Sequence, residues 1–437
     1  MEKTPMEEWI VKRTGIKSAA ELQTYQLNQI VKTLNQVKKQ SAFYRKQLAA
    51  VEPAQLKSLA DFNKLPLTTP EDLKNAPFSF LCVSQTRVDR IVTLNTSGTM
   101  AEKKKRIFFT DQDLQKTVDF FDYGMRSLTN NRDRVLVLLP GQAYGSIGDL
   151  LQKALLRSGT KCVVYGLLTD LDAVEKIIRE ADINCIVGIP IQLLFLSRMK
   201  KEAFKQIDKI LLSTDYVPQV LVNELKRKFD CQVFNHYGMT EMGYGGGVEC
   251  QALNGCHMRE NDLYFEIINP DSGQPLPDGS YGEIVFTTLT REAMPLIRYR
   301  TGDIGAFSNE PCQCGTFLKT MKKVEGRLGN SIKLNTGVDC NLKILEELLL
   351  EFEEIIDYQV ILENDTELTI MMTLYENKDQ ACVKKQASEK LKRYFMTEFG
   401  ILMRVNININ GEQRPDHMIN SMIKRKITDQ RKEHGNE

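Results

Sequence analysis

Small hydroxyl residues surround a glycine in the segment LNTSGTMAEKKKRIFFT, residues 94–110. Backbone N–H groups and side-chain hydroxyls in such a loop can converge on phosphate oxygens, and the basic run at 103–106 adds positive charge. The loop residues are Thr96, Ser97, Gly98 and Thr99. The GxxxxGK[ST] pattern of P-loop NTPases is absent, so this is a different kind of phosphate loop or a polar hairpin turn with a solvated charge run.

A second motif, FNHYGMTEMGYGGG at residues 234–247, places an aromatic ring, a hydroxyl and a carboxylate close together. Its candidate ligand-binding residues are Tyr237, Gly238, Thr240 and Glu241. The ring can stack on a base, the threonine can donate to a phosphate, and the glutamate can hold Mg²⁺, which prefers oxygen ligands. A glycine-rich loop after a buried strand is the structural alternative.

A third motif, RYRTGDIG at residues 298–305, carries Asp303 directly after a glycine. A carboxylate in that position can accept hydrogen bonds from both hydroxyls of a ribose. The motif taken by itself is equally compatible with a turn.

Cysteines and one histidine gather in two windows on either side of a predicted β-hairpin. Cys250, Cys256 and His257 form the first window, and Cys312 and Cys314 form the second as a CxC in PCQCG. Three cysteines and one histidine would give tetrahedral Zn²⁺ coordination with no open position, hence a structural metal. The alternative is a set of scattered reduced thiols.

The segments between these motifs alternate between short apolar strands and helices with one apolar stripe. The strands are predicted in VLVLLP (135–140), CVVYG (162–166), NCIVGIP (184–190) and KILLST (209–214). This alternation predicts a parallel sheet covered by helices on both faces, and ligands of such folds lie at the carboxyl ends of the strands.

Two further changes of pattern define the predicted organisation. The segment LYFEIINPDSGQPLPDGSYGEIVFTTL, residues 263–289, predicts two strands joined by a turn, and an α+β pattern follows residue 326. We therefore expect an α/β protein. A large N-terminal domain, residues 1–326, would combine mostly parallel sheets, helices on both faces and a β-rich subdomain, and a small mobile α+β domain would occupy residues 327–437. Near the N-terminus, Thr69 is expected to cap a helix that begins at Pro70.

Composition narrows the class of protein. The 437 residues are 42% hydrophobic and 26% charged, and 58 basic against 57 acidic residues give a net charge of +1. This balance removes the electrostatic reason to expect nucleic acid or an anionic membrane as partner. The longest apolar stretch, residues 185–196, is too short to span a bilayer. The ten cysteines and the absence of a signal-peptide pattern predict a cytoplasmic protein.

In their order and spacing, these motifs resemble the adenylate-forming superfamily, most closely its phenylacetate–CoA ligase branch. The resemblance runs along nearly the whole chain, through FYRKQL, LPLTTPEDL, TSGTMAEKKK, HYGMTE, TTLTREAMPLIRYRTGD and GRLGNSIKLNTGVDC. It implies an AMP-forming ligase that converts a carboxylic acid, by family default an aryl acid, to an acyl-adenylate and then to a CoA thioester. ATP, Mg²⁺ and CoA are the implied cofactors and substrates, and relatives are often homodimers.

The resemblance also implies roles for individual residues. Residues 96–99, helped by Lys104, would surround the ATP phosphates. Tyr237 beside Gly238 would stack on adenine, Thr240 and Glu241 would serve phosphate and Mg²⁺, and Asp303 would hold the ribose. Arg327 would lie at the domain junction.

The branch has one cysteine and one histidine before the hairpin and two cysteines after it. That pattern selects Cys250, His257, Cys312 and Cys314 as zinc ligands and leaves Cys256 spare.

The acid pocket is expected between LLPGQAYGS (138–146) and the glycine-rich loop after Glu241, with Tyr144, Tyr244 and residues 245–247 as candidate lining. At the domain junction, Gly329 replaces the usual aspartate, and glycine accepts the backbone rotations of a hinge.

The chain departs from the family at its C-terminal lysine, which in relatives follows a glycine and reaches the carboxylate and α-phosphate. Aligning INSMIKRKITDQR on Asp429 puts Met422 and Ile423 at that pair, with Lys424 one residue later and Lys426 three later. We favour Lys424 for the catalytic role. The alternatives are a nucleotide-binding module that has lost adenylation and acts with partner proteins, or a ligase that uses an amine acceptor.

Overall fold

A computed structural model of the protein describes residues 3–94, 104–375, 379–409 and 427–431. Its helices are α1 (Pro5–Thr14), α2 (Ala19–Gln40), α3 (Ala42–Gln47), α4 (Leu59–Phe62), α5 (Pro70–Asn75), α6 (Asp111–Met125), α7 (Ile147–Arg157), α8 (Leu171–Glu180), α9 (Pro190–Met199), α10 (Lys201–Phe204), α11 (Gln219–Phe229), α12 (Leu342–Leu350) and α13 (Gln380–Phe399).

The strands are β1 (Arg90–Leu94), β2 (Lys105–Phe109), β3 (Arg134–Leu138), β4 (Lys161–Val164), β5 (Cys185–Gly188), β6 (Lys209–Leu212), β7 (Gln232–Tyr237), β8 (Gly247–Glu249), β9 (Cys256–Met258), β10 (Leu263–Ile268), β11 (Gly282–Thr288), β12 (Tyr299–Gly305), β13 (Thr320–Met321), β14 (Gly326–Arg327), β15 (Ser331–Lys333), β16 (Asp339–Asn341), β17 (Ile355–Asn364), β18 (Glu367–Leu374), β19 (Arg404–Ile409) and β20 (Ile427–Asp429).

The largest sheet has the strand order β13-β9-β8-β7-β6-β5-β3-β4. Strands β4, β3, β5, β6 and β7 are parallel to their neighbours, whereas β8, β9 and β13 extend the sheet with antiparallel pairs. The four apolar runs predicted as strands correspond to β3, β4, β5 and β6. The α/β fold class is therefore confirmed, with helices between the parallel strands and a separate C-terminal region.

Two helices illustrate what local sequence does and does not determine. The hydroxyl of Thr69 accepts from the Asp72 N–H and the Asp72 carboxylate accepts from the Thr69 N–H, so α5 begins at Pro70 with a complete capping box. By contrast, α9 is buried on nearly every side. A helix buried all round has no polar face, so its periodicity is weak and only the strand before it was predicted.

The predicted β-hairpin is formed by β10 and β11, which pair antiparallel with Leu263 opposite Thr288 and Ile268 opposite Glu283. They belong to a second sheet with the order β10-β11-β12-β14. Strands β1 and β2 form a separate antiparallel hairpin. The residues between β1 and β2, which include the predicted phosphate loop, lie outside the described part of the chain.

The C-terminal region contains the two-stranded sheet β15-β16 and the four-stranded sheet β19-β18-β17-β20, accompanied by α12 and α13. Its apolar side chains belong to the same hydrophobic cluster as those of α9 and α11. Leu194 and Leu225 contribute from the N-terminal part, and Leu345 and Leu349 contribute from α12. The same cluster therefore extends across the two parts of the chain.

A buried arginine lies at the centre of this contact. The Arg198 guanidinium donates to both carboxylate oxygens of Glu224, at 3.1 and 2.6 Å. It also donates to the carbonyls of Leu350, Phe352 and Ile355, at 2.8, 3.2 and 2.7 Å. These five contacts match the five N–H donors of a guanidinium, so the charge is both neutralised and fully hydrogen-bonded.

Among the described residues, no helix is both long enough and apolar enough to cross a lipid bilayer.

Candidate active site

The glycine-rich motif follows the carboxyl end of β7, the position that a parallel sheet offers to ligands. Tyr237 ends the strand, and a short 3₁₀ turn, Thr240–Met242, follows it. Between them, a Cβ added at Gly238 would lie 2.2 Å from the Tyr244 carbonyl oxygen. Only glycine allows this close approach, so Gly238 lets the loop fold back on itself and turns Glu241 into the interior.

Glu241 is 2% exposed and belongs to a small buried polar cluster. Its carboxylate forms an ion pair and hydrogen bond with the Lys105 ammonium, and the Tyr299 hydroxyl donates to its Oε1 at 3.2 Å. Burial, and then the neighbouring carboxylate, raise the pKa of Tyr299, so this phenol remains a neutral donor. A cation that binds Glu241 would therefore have to share this carboxylate with Lys105 or displace the ammonium.

A second polar cluster joins the end of β7 to the second sheet. The Tyr237 hydroxyl donates to Asp303 Oδ2 at 3.1 Å, and Arg327 Nε donates to Asp303 Oδ1 at 2.7 Å. Asp303 and Arg327 face each other in the β12–β14 pair, which explains how the chain brings them together. Burial, and then the Asp303 charge, raise the pKa of Tyr237. Three predicted nucleotide-site residues are thus in direct contact.

Several other predicted site residues either lie outside the described part of the chain or are exposed. Residues 96–99 of the phosphate loop and the candidate lysines Lys424 and Lys426 lie outside the described residues. Lys104 is described and is exposed next to β2, whereas its neighbour Lys105 contacts Glu241. The basic run alone gives no reason to choose between adjacent lysines, because the choice depends on which face of β2 each side chain occupies.

The four residues selected as zinc ligands converge from two separate segments. The Sγ atoms of Cys250, Cys312 and Cys314 and a ring nitrogen of His257 all lie within 4.8 Å of one another. The Cys250 and Cys312 sulfurs are 3.6 Å apart, and His257 Nε2 is 3.2 Å from Cys314 Sγ. Sulfurs on tetrahedral Zn²⁺ with 2.3 Å bonds are separated by about 3.8 Å, so the donor set and its spacing fit zinc.

Neighbouring groups orient this cluster and exclude the spare cysteine. His257 Nδ1 lies 3.4 Å from the Thr320 hydroxyl, which leaves Nε2 facing the sulfurs. Cys256 precedes His257 in β9, and adjacent strand residues point to opposite faces. The Cys256 thiol lies instead 3.6 Å from the Asn235 carbonyl oxygen.

A narrow cavity, partly open to solvent and with about 20 Å³ of space accessible to a water-sized group, lies between α6, α7 and the strands β5 to β8. Its walls are mainly apolar, and Ser213 and His236 contribute the polar groups. Tyr144, predicted to line an acid pocket, is instead 50% exposed and donates to Asp111. Tyr244 donates to the Gly145 carbonyl at 3.0 Å, and Gly245 approaches the Phe120 ring.

Four residues that contribute to these sites were not identified from the sequence: Lys105, Tyr299, Ser213 and His236. Lys105, Tyr299 and His236 stand inside the recognised motifs, so their positions were available as a signal. Ser213, directly after β6, contacts His236 in β7, and the two residues are 23 positions apart in the sequence. No short motif encodes a contact of that kind.

Comparison with known proteins places the chain in a family. The family model described as AMP-binding enzyme matches residues 18–289. The chain therefore belongs to the AMP-binding enzymes. Two of its curated relatives are phenylacetate-coenzyme A ligases. The Thermus thermophilus protein is 28% identical over 402 residues, covering 89% of this chain and 85% of the relative. The Escherichia coli K12 protein is 28% identical over 351 residues, covering 77% and 78%.

Solved structures show the same fold. The crystal structure of 2-hydroxyisobutyryl-CoA ligase in the postadenylation state, in complex with R3-HIB-AMP, has a TM-score of 0.80 at 19% identity and covers 95% of this chain and 91% of that chain. An open conformation of that enzyme, in complex with 2-HIB-AMP and CoA, has a TM-score of 0.65 at 18% identity, covering 94% and 92%. The resemblance to the phenylacetate–CoA ligase branch of the adenylate-forming superfamily is confirmed.

Proposed function

We propose that the protein is an ATP-dependent, AMP-forming acid–CoA ligase. The observation that carries this proposal is the pair of polar clusters at the end of β7, one centred on Glu241 and the other on Asp303. Membership of the AMP-binding enzymes and two related phenylacetate–CoA ligases support it. The substrates would be a carboxylic acid, ATP and CoA, with an aryl acid as the family default.

In the first half-reaction, a carboxylate oxygen of the acid would bond to the α-phosphorus of ATP as the bond to pyrophosphate breaks. Tyr237 would pack against adenine, with Asp303 accepting from the ribose hydroxyls. Thr240 and residues 96–99, with Lys104, would donate to the phosphates. Glu241 would hold Mg²⁺, which supplies positive charge for the phosphate oxygens. Lys105, already at Glu241, is a further cation for that region.

In the second half-reaction, the CoA thiol would attack the acyl carbon and release AMP. We propose that residues 327–437 form the domain that moves between the two steps, with Arg327 at the junction and Gly329 as hinge. Lys424 would reach the acid and α-phosphate in the first step. We also keep a cytoplasmic location in the proposal, because none of the ten cysteines forms a disulfide.

The proposal is tested by measuring pyrophosphate release with Mg·ATP across a panel of aryl, short-chain and dicarboxylic acids, with and without CoA. We expect release that depends on one class of acid, and acyl-CoA as product when CoA is present. Adenylation followed by transfer only to an amine would identify the amine-acceptor alternative. ATP binding without release for any acid would instead favour the non-catalytic module.

We further propose that Cys250, His257, Cys312 and Cys314 hold one structural Zn²⁺. Four protein ligands leave no coordination position for substrate, so the ion would tie the β8–β9 segment to the segment before β13. β8 pairs with the last two residues of β7, His236 and Tyr237, so this link adjoins the strand that carries the nucleotide-site residues. The zinc site would thus stabilise the scaffold without entering the chemistry.

Replacing Cys314 with serine is expected to remove the metal and lower the melting temperature by at least about 5 °C, because a tetrahedral site loses one soft ligand. Zinc content by mass spectrometry and a thermal melt measure the two effects. Cys256→Ala is the matched control, since that thiol lies beside the cluster without joining it, and it should keep its zinc. Equal zinc loss in both variants, or a wild-type protein purified with no zinc, would contradict the assignment.

A further inference from the structure

The cavity beside β7 lies next to the proposed adenylation site and is predominantly hydrocarbon. Its walls include Phe120 and Leu151 from helices and Val187 and Leu211 from strands. His236 lines it and immediately precedes Tyr237. The role inferred for this cavity rests on the proposed function, because the cavity takes part in the reaction only if the protein binds an acid substrate.

One polar atom in the cavity lacks a partner. In the part of the chain that the structure describes, His236 Nε2 is buried and makes no hydrogen bond. The other ring nitrogen, Nδ1, lies 2.8 Å from the Ser213 hydroxyl oxygen. Burial lowers the pKa of His236 to about 4, so the ring is neutral near pH 7. A neutral imidazole has one N–H donor and one acceptor nitrogen.

The contact with Ser213 favours one tautomer. If the Ser213 hydroxyl donates to Nδ1, the ring proton is on Nε2, and that N–H is the one group without a partner. If Nδ1–H donates instead, both Nε2 and the serine O–H lack partners among the described residues. The first arrangement leaves fewer buried polar groups unsatisfied, so Nε2 is assigned as a donor.

The surroundings connect this donor to the nucleotide-site loop. A Cβ added at Gly245 would lie 3.3 Å from His236 Nε2 and 2.2 Å from a Phe120 ring carbon. Because Gly245 has no side chain, its backbone can close over the imidazole and the ring together. The loop that carries Glu241 therefore also forms the wall beside the unpaired N–H.

We propose that His236 Nε2–H recognises a hydrogen-bond acceptor on the body of the acid, away from its carboxylate. The preferred substrates are then acids with a compact apolar body, aryl or alkyl, that carry one hydroxyl, carbonyl or ring nitrogen. A purely hydrocarbon acid fills the apolar walls but leaves the donor unpaired. Sites that hydrogen-bond a substrate group discriminate strongly against analogues without it.

The test compares pyrophosphate release with phenylacetate, its three ring-hydroxylated forms and the pyridylacetates. For the wild-type enzyme, we expect kcat/KM for at least one acceptor-bearing acid to exceed that for phenylacetate by about tenfold or more. His236→Leu should reduce this ratio by a similar factor. Ser213→Ala, which removes the hydroxyl that fixes the tautomer, should reduce it in the same direction. A wild-type ratio near one, or a ratio that survives in both variants, would overturn the proposal.

A direct binding measurement separates failure of this inference from failure of the proposed function. The chain has only four histidines, so ¹⁵N-histidine labelling gives few imidazole signals, and His236→Leu assigns the relevant one. An Nε2 signal that shifts with an acceptor-bearing acid but not with phenylacetate supports the proposal even if no acid is adenylated. Adenylation of acids with no such shift overturns the proposal while the ligase function stands. No shift with any acid and no adenylation reject both.

Discussion

Replacing Glu241 with glutamine is expected to lower kcat/KM for acid-dependent pyrophosphate release by about 10²–10³-fold. The amide keeps the shape of the side chain but loses the charge that would hold Mg²⁺. It also loses the charge that pairs with Lys105. The measurement is steady-state pyrophosphate release at several Mg²⁺ concentrations, with a thermal melt to check that the variant is folded.

The matched control for this substitution is Glu249→Gln. Glu249 is also a buried glutamate, but its carboxylate accepts from Asn235 and from the Gly255 N–H, inside the sheet. We expect the Glu249 variant to keep kcat/KM within about tenfold of wild type. Similar losses in both variants would mean that Glu241 acts through stability, and an active Glu241 variant would remove it from the proposed mechanism.

Substitution of Lys424 by alanine is expected to reduce acyl-AMP formation by about 10²–10³-fold, and Lys426→Ala by less than tenfold. A lysine ammonium at the reacting oxygens stabilises charge that develops in the transition state, and alanine cannot replace it. The two lysines differ by two positions, so each variant is a control for the other. Single-turnover formation of acyl-AMP isolates the first step.

This pair also decides between the main alternatives. A large loss in the Lys426 variant with an active Lys424 variant would transfer the role to Lys426. If the wild-type protein binds ATP but forms no acyl-AMP, and neither substitution changes ATP affinity, the nucleotide-binding module is the better description of the protein.

Much of the fold was predictable because its elements depend on local patterns. Strands β3 to β6 are short apolar runs between helices with a single apolar stripe, and the capping box at Thr69 is a local signal. The order in which β4, β3 and β5 lie side by side is set by long-range packing, which periodicity does not contain. Strands β9 and β13 are too short to show any period, yet their pairing brings His257 near the second cysteine window.

Part of the candidate site was also predictable from the sequence. Tyr237, Asp303 and Arg327 belong to recognisable motifs, and the structure brings them into contact. Within those motifs, the sequence did not indicate that Lys105 rather than Lys104 would face Glu241, because that depends on strand orientation. His236 lies inside the HYGMTE motif, but nothing in that motif gives the histidine a role. Its significance arises only from the hydroxyl of Ser213 on one side and an apolar cavity on the other.

The Arg198 guanidinium has a consequence for how the C-terminal region can move. One rigid planar group binds three carbonyls between Leu350 and Ile355, and each N–H that loses its acceptor while still buried costs about 1–3 kcal/mol. Partial detachment is therefore less stable than either full attachment or full release into water. If residues 327–437 rotate as proposed, the rotation would begin as a cooperative event at this arginine, with few molecules in a partly detached state.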